Sequence, residues 1–402
     1  MTSPDTAFRP VTRARGLQAP DRFVALDGLR GVAALIVLFS HLSLTLAPVS
    51  DIWIVPRDVH PATWSATWWL TSTPLQLVVG GPQAVLIFFV LSGLVVALPV
   101  LRRTDFDWVA YYARRILRLW LPVAASVVLA LLLVTLVDQS RDDQSSLWVK
   151  ASSVHQPSWA TIVSSFDLLF GNISLNNPLW TIHWELAFSL FLPVFVAVAV
   201  LTRRWWWITL LATLPLVMAG VFLSLTPLQF LPVFLVGTVL AVKLDDLRAW
   251  VARRSRVWLT LVGSAVAVIS LILLGLHWST WAIIGGAPRF QTITKGLEYV
   301  GAAGLVLLAA VWSPAIRLLS TGLFRWLGRI SFSLYLVHVP IIIAIASLFG
   351  RESTALRLVL SAVIALVVAE LFTRFVEAPS HRLSKKTGLL VTSAMHGWFA
   401  SR

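Results

Sequence analysis

The chain contains no cysteine and very little charge. The absence of cysteine from its 402 residues excludes disulfides, thiolate nucleophiles and cysteine-ligated metals. Charged residues make up only 12% of the sequence, about half the share of a soluble domain. Hydrophobic residues make up 58%, so most of the apolar surface is expected to face lipid. Twenty tryptophans support this interpretation, because indole rings favour the headgroup interface of a bilayer.

Ten apolar stretches are each long enough to cross a bilayer as an α-helix. They cover residues 24–46, 84–101, 117–137, 180–201, 206–225, 228–243, 257–276, 296–312, 332–349 and 355–377. We therefore predict an all-α, polytopic membrane bundle of about ten transmembrane helices. It is expected to comprise a disordered tail (1–21), a membrane domain (22–383) and a C-terminal tail (384–402).

The net charge of +14 follows the predicted membrane topology. With the N-terminus in the cytoplasm, 24 of the 32 lysines and arginines lie in inside segments and seven in outside loops. The positive-inside rule requires this asymmetry, and the opposite orientation would reverse it. Both termini are therefore predicted to be cytoplasmic, and the basic charge does not indicate a nucleic-acid partner. A cleaved signal peptide is the alternative for the N-terminus, although Arg30 lies inside the first apolar stretch.

The first span carries two polar residues on one helical face. Arg30 and His41 are 11 residues apart, which places them about 20° apart around a helix and about 16 Å apart along it. Asp27 lies one turn before Arg30 and can orient it. Ionisable residues within a span are costly and are functional candidates by default. The structural alternative is that Arg30 snorkels to the interface and His41 is a packing residue.

Three arginines precede the third span, on the cytoplasmic side of the predicted topology. Arg115 and Arg118 are three residues apart, and Arg114 and Arg118 are four apart. The three guanidinium groups therefore lie close to one helical face, where they can bind phosphates. A basic cluster that only sets the topology is the alternative.

Two further spans carry polar side chains. Glu185 begins the fourth span from the outside, at about the depth predicted for His41, and a carboxylate there can hold the histidine tautomer. In the ninth span, Ser331, Tyr335 and His338 follow an i, i+4, i+7 spacing and form one polar stripe. Such a stripe faces the bundle interior or a cavity, and helix–helix hydrogen bonding is its structural alternative.

Taken together, these motifs resemble the integral-membrane O-acyltransferases usually called acyltransferase family three. Two departures occur: His183-Trp184 stands where the family usually has small or aliphatic residues, and Ser189 replaces a common tyrosine. The matching motifs run in order along nearly the whole chain: Asp27-Gly28-Leu29-Arg30-Gly31 with His41, Phe88-Phe89-x-x-Ser92-Gly93, Arg114-Arg115-x-x-Arg118 before Pro122, Trp180 to Glu185 with Phe188 and Pro193, Gly328-Arg329-Ile330-Ser331 through Tyr335 and His338, and Glu377-x-Pro379.

The resemblance implies acyl coenzyme A as the donor, a hydroxyl as the acceptor and no metal. His41 is expected to be the general base for the acceptor hydroxyl with Glu185 as its partner, or else a transient acyl carrier. The predicted site residues are His41, Glu185 and Arg30 for catalysis, and Arg114, Arg115, Arg118, Tyr335, His338 and Ser92 for the donor.

The same resemblance implies the class of acceptor, and the amino-acid composition indicates the kind of membrane. The acceptor is a sugar hydroxyl on a polysaccharide, a glycolipid, peptidoglycan or a glycosylated metabolite, with a separate extracytoplasmic transferase as a further partner. Arginine outnumbers lysine 27 to five, which hints at a bacterial genome and hence at a bacterial cytoplasmic membrane. A secondary transporter or lipid flippase is the alternative, because it can use the same intramembrane residues as a substrate pathway.

Overall fold

The computed structural model describes residues 19–54, 61–139, 146–171, 173–284, 288–349 and 353–400. Within these ranges every regular element is a helix, which confirms the all-α class. Residues 1–18 of the tail predicted over 1–21 lie outside the described residues. The helices are α1 (Ala19–Leu44), α2 (Ala47–Ile54), α3 (Ala66–Ser72), a 3₁₀ segment (Pro74–Val79), α4 (Gly81–Leu101), α5 (Trp108–Leu136), α6 (Leu147–Ser152), α7 (Trp159–Ser164), α8 (Leu179–Leu190), α9 (Leu192–Leu201), a 3₁₀ turn (Arg203–Trp205), α10 (Trp206–Phe222), α11 (Thr226–Ala252), α12 (Arg256–Ile284), α13 (Pro288–Val311), α14 (Ser313–Leu319), α15 (Gly322–Leu348), α16 (Thr354–Phe372), a π-helical turn (Thr373–Glu377) and α17 (Ala378–Ala400).

The long helices form a multi-pass membrane bundle. In the part of the chain that the structure describes, nine stretches are long and apolar enough to cross a membrane. The α8–α9 pair, bent by 62°, brings the number to ten if it crosses once. This agrees with the prediction of about ten transmembrane helices.

The bend in the fourth span follows from a proline. Pro193 lies in the first turn of α9. It has no backbone N–H, and within a continuous helix its ring would collide with the carbonyl of Ser189 four residues earlier. Helix α8 therefore stops at Leu190 and contains only 12 residues. Glu185, in the second half of α8, is carried towards the middle of the bundle.

The last span continues beyond its predicted end at residue 377. The candidate span runs over Thr354–Ser393, through a π-helical turn at Thr373–Glu377. The wider turn accommodates Pro379, whose ring would collide with the preceding turn of a regular helix. Residues predicted as a C-terminal tail thus form α17, which packs along α5.

A side-chain hydrogen bond ties the end of α17 to the start of α5. Asp107 is the N-cap of α5: its carboxylate accepts from Ala110 N at 2.9 Å and also from the Thr392 hydroxyl. These two bonds, with that from Thr392 the stronger, hold the pKa of Asp107 below its usual value. Helix α17 is therefore anchored at both ends, by the π-helical turn and by Asp107.

The centre of the bundle is the crossing of α1 with the almost wholly buried α15. Glycine faces glycine where the two helices meet. A Cβ added at Gly31 would lie 2.5 Å from the backbone nitrogen of Gly328. Because that neighbour is backbone, a side chain at Gly31 would separate the helices. Close approach at this point keeps the polar residues of α1 within reach of those on α15.

Replacement of Gly31 by alanine is expected to lower the free energy of unfolding by about 1–3 kcal/mol, the usual cost of overpacking. The measurement is thermal unfolding of the purified protein in nanodiscs. Gly322→Ala is the matched control, because nothing lies within 4 Å of a Cβ added there. Equal unfolding temperatures for the two variants would contradict the close crossing.

Candidate active site

The crossing of α1 and α15 brings together four of the polar residues singled out in the sequence. Nearer the N-terminal ends of the two helices, Arg30 Nε donates to Ser331 Oγ at 3.1 Å. Further along both helices, His41 Nδ1 lies 3.1 Å from His338 Nε2. The 11-residue spacing that links Arg30 and His41 thus corresponds to two contacts with the same neighbouring helix.

The hydrogen bonds of the two histidines define their tautomers. His338 Nδ1 lies 2.9 Å from Leu334 O, which can only accept, so this nitrogen carries the proton. Neutral His338 therefore presents a lone pair at Nε2. His41 Nδ1 lies 3.0 Å from Val37 O and donates there and to His338. The lone pair of His41 is consequently on Nε2, which is the arrangement a general base needs.

Helix α6, which lies between the third and fourth predicted spans, covers His41. The Trp148 ring lies 5.3 Å from the His41 ring, measured between centroids. Ser146 Oγ donates to Leu44 O at 2.7 Å, and Trp148 N donates to Ser50 Oγ at 2.8 Å. These bonds attach α6 to the end of α1 and to α2, so the histidine pair is shielded on this side.

Glu185 does not pair with His41, in contrast to the prediction. Its Oε1 accepts from Arg115 Nη2 at 2.7 Å and from Ser92 Oγ at 3.2 Å. The short α8 carries Glu185 to the level of Arg115 on α5, so the two ends of the proposed pair lie at different depths. The polar partners of His41 in the described structure are Val37 and His338.

Two adjoining cavities contain most of the predicted donor residues. The smaller, of about 230 Å³, has aromatic walls at Phe88, Phe89 and Tyr335. The larger, of about 390 Å³, has Phe106 and Tyr111 in its wall. Both cavities are lined by Arg30, Ser92, Arg115, Arg118, Glu185 and His381, and the larger one also by Arg103, Arg114 and Lys385. They therefore form one continuous, strongly basic cleft.

Tyr335 separates this cleft from the histidine pair. Its hydroxyl accepts from Thr181 Oγ1 at 2.8 Å, and its ring lies 5.9 Å from the His338 ring between centroids. Neither His41 nor His338 lines the two cavities. The predicted site is therefore extended: a basic cleft, then Tyr335, then the histidine pair.

Several cleft residues were not predicted as site residues, among them three near the C-terminal end of the bundle. Glu377 lies on the π-helical turn, lines the smaller cavity and accepts from Ser333 Oγ at 2.6 Å. His381 and Lys385 lie on α17, in the region predicted to follow the last span or to form the tail. The available signal was the Glu377-x-Pro379 motif, because a proline interrupts a regular helix, and π-helical turns are frequent at functional sites. Across the described residues, no three His, Asp or Glu side chains form a metal-ligand group.

Comparison with known proteins gives one match. The family model described as an acyltransferase domain matches residues 23–374, from the start of α1 to the π-helical turn. No curated protein and no solved structure matches the chain. The matched range includes every site residue predicted from the sequence and excludes His381 and Lys385.

Proposed function

Because the chain belongs to the acyltransferase family whose domain model spans residues 23–374, we propose that it transfers a short acyl group, such as acetyl, from acyl coenzyme A to a hydroxyl. The acceptor we propose is a sugar on a polysaccharide, glycolipid or glycosylated metabolite. The single observation that carries this proposal is the continuous basic cleft, which Tyr335 separates from a hydrogen-bonded histidine pair.

The basic part of the cleft suits the nucleotide of the donor. Coenzyme A carries a pyrophosphate and a 3′-phosphate, and arginine forks bind phosphate oxygens in pairs. Arg114 and Arg118 line the larger cavity with Arg103 and Lys385. Phe106 and Tyr111 offer ring faces for the adenine in the same cavity. Arg115 is held by Glu185, and Arg30 by Ser331, so both are fixed where the two cavities meet.

In this proposal, acyl transfer takes place at the histidine pair, beyond Tyr335. In direct transfer, His41 Nε2 takes the proton of the acceptor hydroxyl while the hydroxyl oxygen bonds to the thioester carbonyl carbon. The carbon–sulfur bond then breaks, and the thiolate of coenzyme A takes the proton from His41. His338 Nε2 accepts from His41 Nδ1 throughout and stabilises the imidazolium. In the acyl-histidine alternative, Nε2 attacks the thioester carbonyl carbon and displaces the thiolate of coenzyme A. The acceptor oxygen then bonds to the acyl carbon, the bond to Nε2 breaks, and the hydroxyl proton passes to the thiolate.

The charge asymmetry of the sequence supports a cytoplasmic donor. With the positive side inside, Arg114, Arg115 and Arg118 lie near the cytoplasmic end of α5, and His41 lies near the other end of α1. The acceptor would approach His41 from the outer side of a bacterial cytoplasmic membrane, the side that α6 and Trp148 cover. A separate extracytoplasmic transferase is a possible recipient of the acyl group. The transporter or flippase alternative lacks an observation in its favour, since the chain belongs to an acyltransferase family.

The test is binding and slow hydrolysis of acetyl coenzyme A by the protein in nanodiscs. Because the larger cavity collects basic side chains for the phosphates, acetyl coenzyme A lacking the 3′-phosphate is expected to bind about tenfold more weakly, the loss of one charge-assisted contact. Raising the salt concentration should reduce this difference. A wild-type protein that neither binds nor hydrolyses any acyl coenzyme A would contradict the proposed donor.

A further inference from the structure

The bend between α8 and α9 leaves two backbone carbonyls of α8 without helical donors. In a continuous helix, Ser189 O would accept from the N–H of residue 193, but Pro193 has none. Leu190 O would accept from Val194 N, which instead bonds to Phe191 O at 3.0 Å. Unpaired carbonyls are costly inside a bilayer, because no water is there to bind them.

Two adjacent tyrosines in the first turn of α5 satisfy these carbonyls. The Tyr111 hydroxyl donates to Ser189 O at 3.3 Å. The Tyr112 hydroxyl donates to Leu190 O at 3.0 Å. The donors that the bend removes from the main chain are thus replaced, one for one, by side chains of the neighbouring helix.

In the next turn of α5, Arg115 binds two side chains of the same segment of α8. Arg115 Nη2 donates to Glu185 Oε1 at 2.7 Å, and Arg115 Nε donates to Ser189 Oγ at 2.9 Å. Ser189 Oγ in turn donates to Glu185 O at 2.7 Å. The two tyrosines and Arg115 therefore hold one turn of α8 at four points, and this turn carries the carboxylate that lines the donor cleft.

We propose that Tyr111 and Tyr112 are positioning residues: they hold the broken span so that Glu185 meets Arg115 and Ser92 in the cleft. The inference rests on the proposed function. Without the two hydroxyls, the end of α8 keeps only the two bonds from Arg115 to α5, and the Glu185–Arg115 pair is held less firmly where the two cavities meet. A displacement of about 1 Å at a site of this kind can reduce turnover as much as 100-fold.

The competing explanation is that the tyrosines only strengthen helix packing. Tyr299 provides the matched control: it is also buried, and its hydroxyl bonds to Thr213 Oγ1 at 2.9 Å, remote from the cleft. Tyrosine-to-phenylalanine changes retain each ring and remove one hydroxyl. A packing role predicts similar consequences at all these positions, whereas a positioning role predicts a selective effect on turnover.

The experiment compares wild type, Tyr112→Phe, the double variant Tyr111→Phe/Tyr112→Phe, Glu185→Gln, the triple combination and Tyr299→Phe in nanodiscs. Acetyl coenzyme A binding and single-turnover hydrolysis are measured for each. We expect hydrolysis by the double variant to fall about 10- to 100-fold, with less change in donor affinity. The triple variant should be no slower than Glu185→Gln, because the tyrosines act through that carboxylate.

Hydrogen–deuterium exchange over residues 186–195 provides a readout that needs no donor. It should accelerate in the double variant and stay unchanged in Tyr299→Phe. If exchange in the double variant stays at the wild-type rate, the inference is overturned, whether or not the protein uses acyl coenzyme A. Hydrolysis by the double variant equal to that of Tyr299→Phe, or additive losses in the triple variant, would overturn it as well. Failure of the wild type to bind any donor contradicts only the proposed function.

Discussion

His41→Ala is expected to reduce donor turnover by about 10²- to 10⁴-fold, the usual contribution of a general base, while donor affinity stays unchanged. The reason is geometric: His41 holds its lone pair on Nε2, and its Nδ1 proton is committed to Val37 and His338. The imidazole lies outside the basic cleft, so its removal leaves the phosphate contacts intact. Single-turnover hydrolysis and equilibrium binding of acetyl coenzyme A measure the two effects separately.

His183→Ala is the matched control for this change. His183 is also partly buried and also binds a backbone carbonyl, Leu168 O at 3.2 Å, but it faces a separate groove on the other side of α8. Its replacement should leave donor hydrolysis within about twofold of wild type, as for most substitutions remote from a site. If His41→Ala and His183→Ala hydrolyse the donor equally well, His41 is not the base.

Arg118→Ala is expected to weaken donor binding by about 10- to 150-fold, equivalent to the 1.5–3 kcal/mol of a hydrogen bond to a charged group. Among the described residues, Arg118 has no hydrogen bond or ion pair, whereas Arg115 binds Glu185 and Arg30 binds Ser331. Arg118 lines both cavities, so its guanidinium is available to an anionic ligand. The dissociation constant of acetyl coenzyme A is the measurement.

Two comparisons separate a specific phosphate contact from general charge. Arg118→Lys keeps the charge but loses the planar fork, and its affinity should fall between those of wild type and Arg118→Ala. Arg317→Ala removes a cation of α14 that bonds to its own helix at Ser313 O and lines neither cavity. Donor binding that weakens equally in Arg317→Ala and Arg118→Ala would argue against a phosphate site at Arg118.

The partner of Glu185 shows where sequence reasoning reached its limit. Hydropathy placed Glu185 at the start of a span and therefore at the depth of His41. Pro193 was visible in the sequence, but neither the 62° bend that it causes nor the contact of α8 with α5 could be predicted from it. Because the depth of a side chain depends on the path of its helix, the same carboxylate pairs with Arg115 and not with an imidazole.

The C-terminal region shows a second limit. A proline and a run of basic residues after an apolar stretch are typical of a helix that has left the membrane. A single π-helical turn alters this outcome by carrying the helix through Pro379 and along α5. Local hydrogen-bond geometry, which composition does not specify, thus brings His381 and Lys385 into the cleft.

The sequence by itself determined the membrane class, the approximate number of membrane-spanning helices, the acyltransferase family and the helical face shared by Arg30 and His41. The first, second and fourth of these depend on hydrophobic length and on spacing along one helix, which are local and periodic, and the family on short sequence motifs. Only the tertiary structure decided the partners: His338 for His41, Arg115 for Glu185, and α6 and α17 as the walls of the site. Partners on different helices depend on crossing points, bends and depth, and these are set by packing between segments distant in the chain.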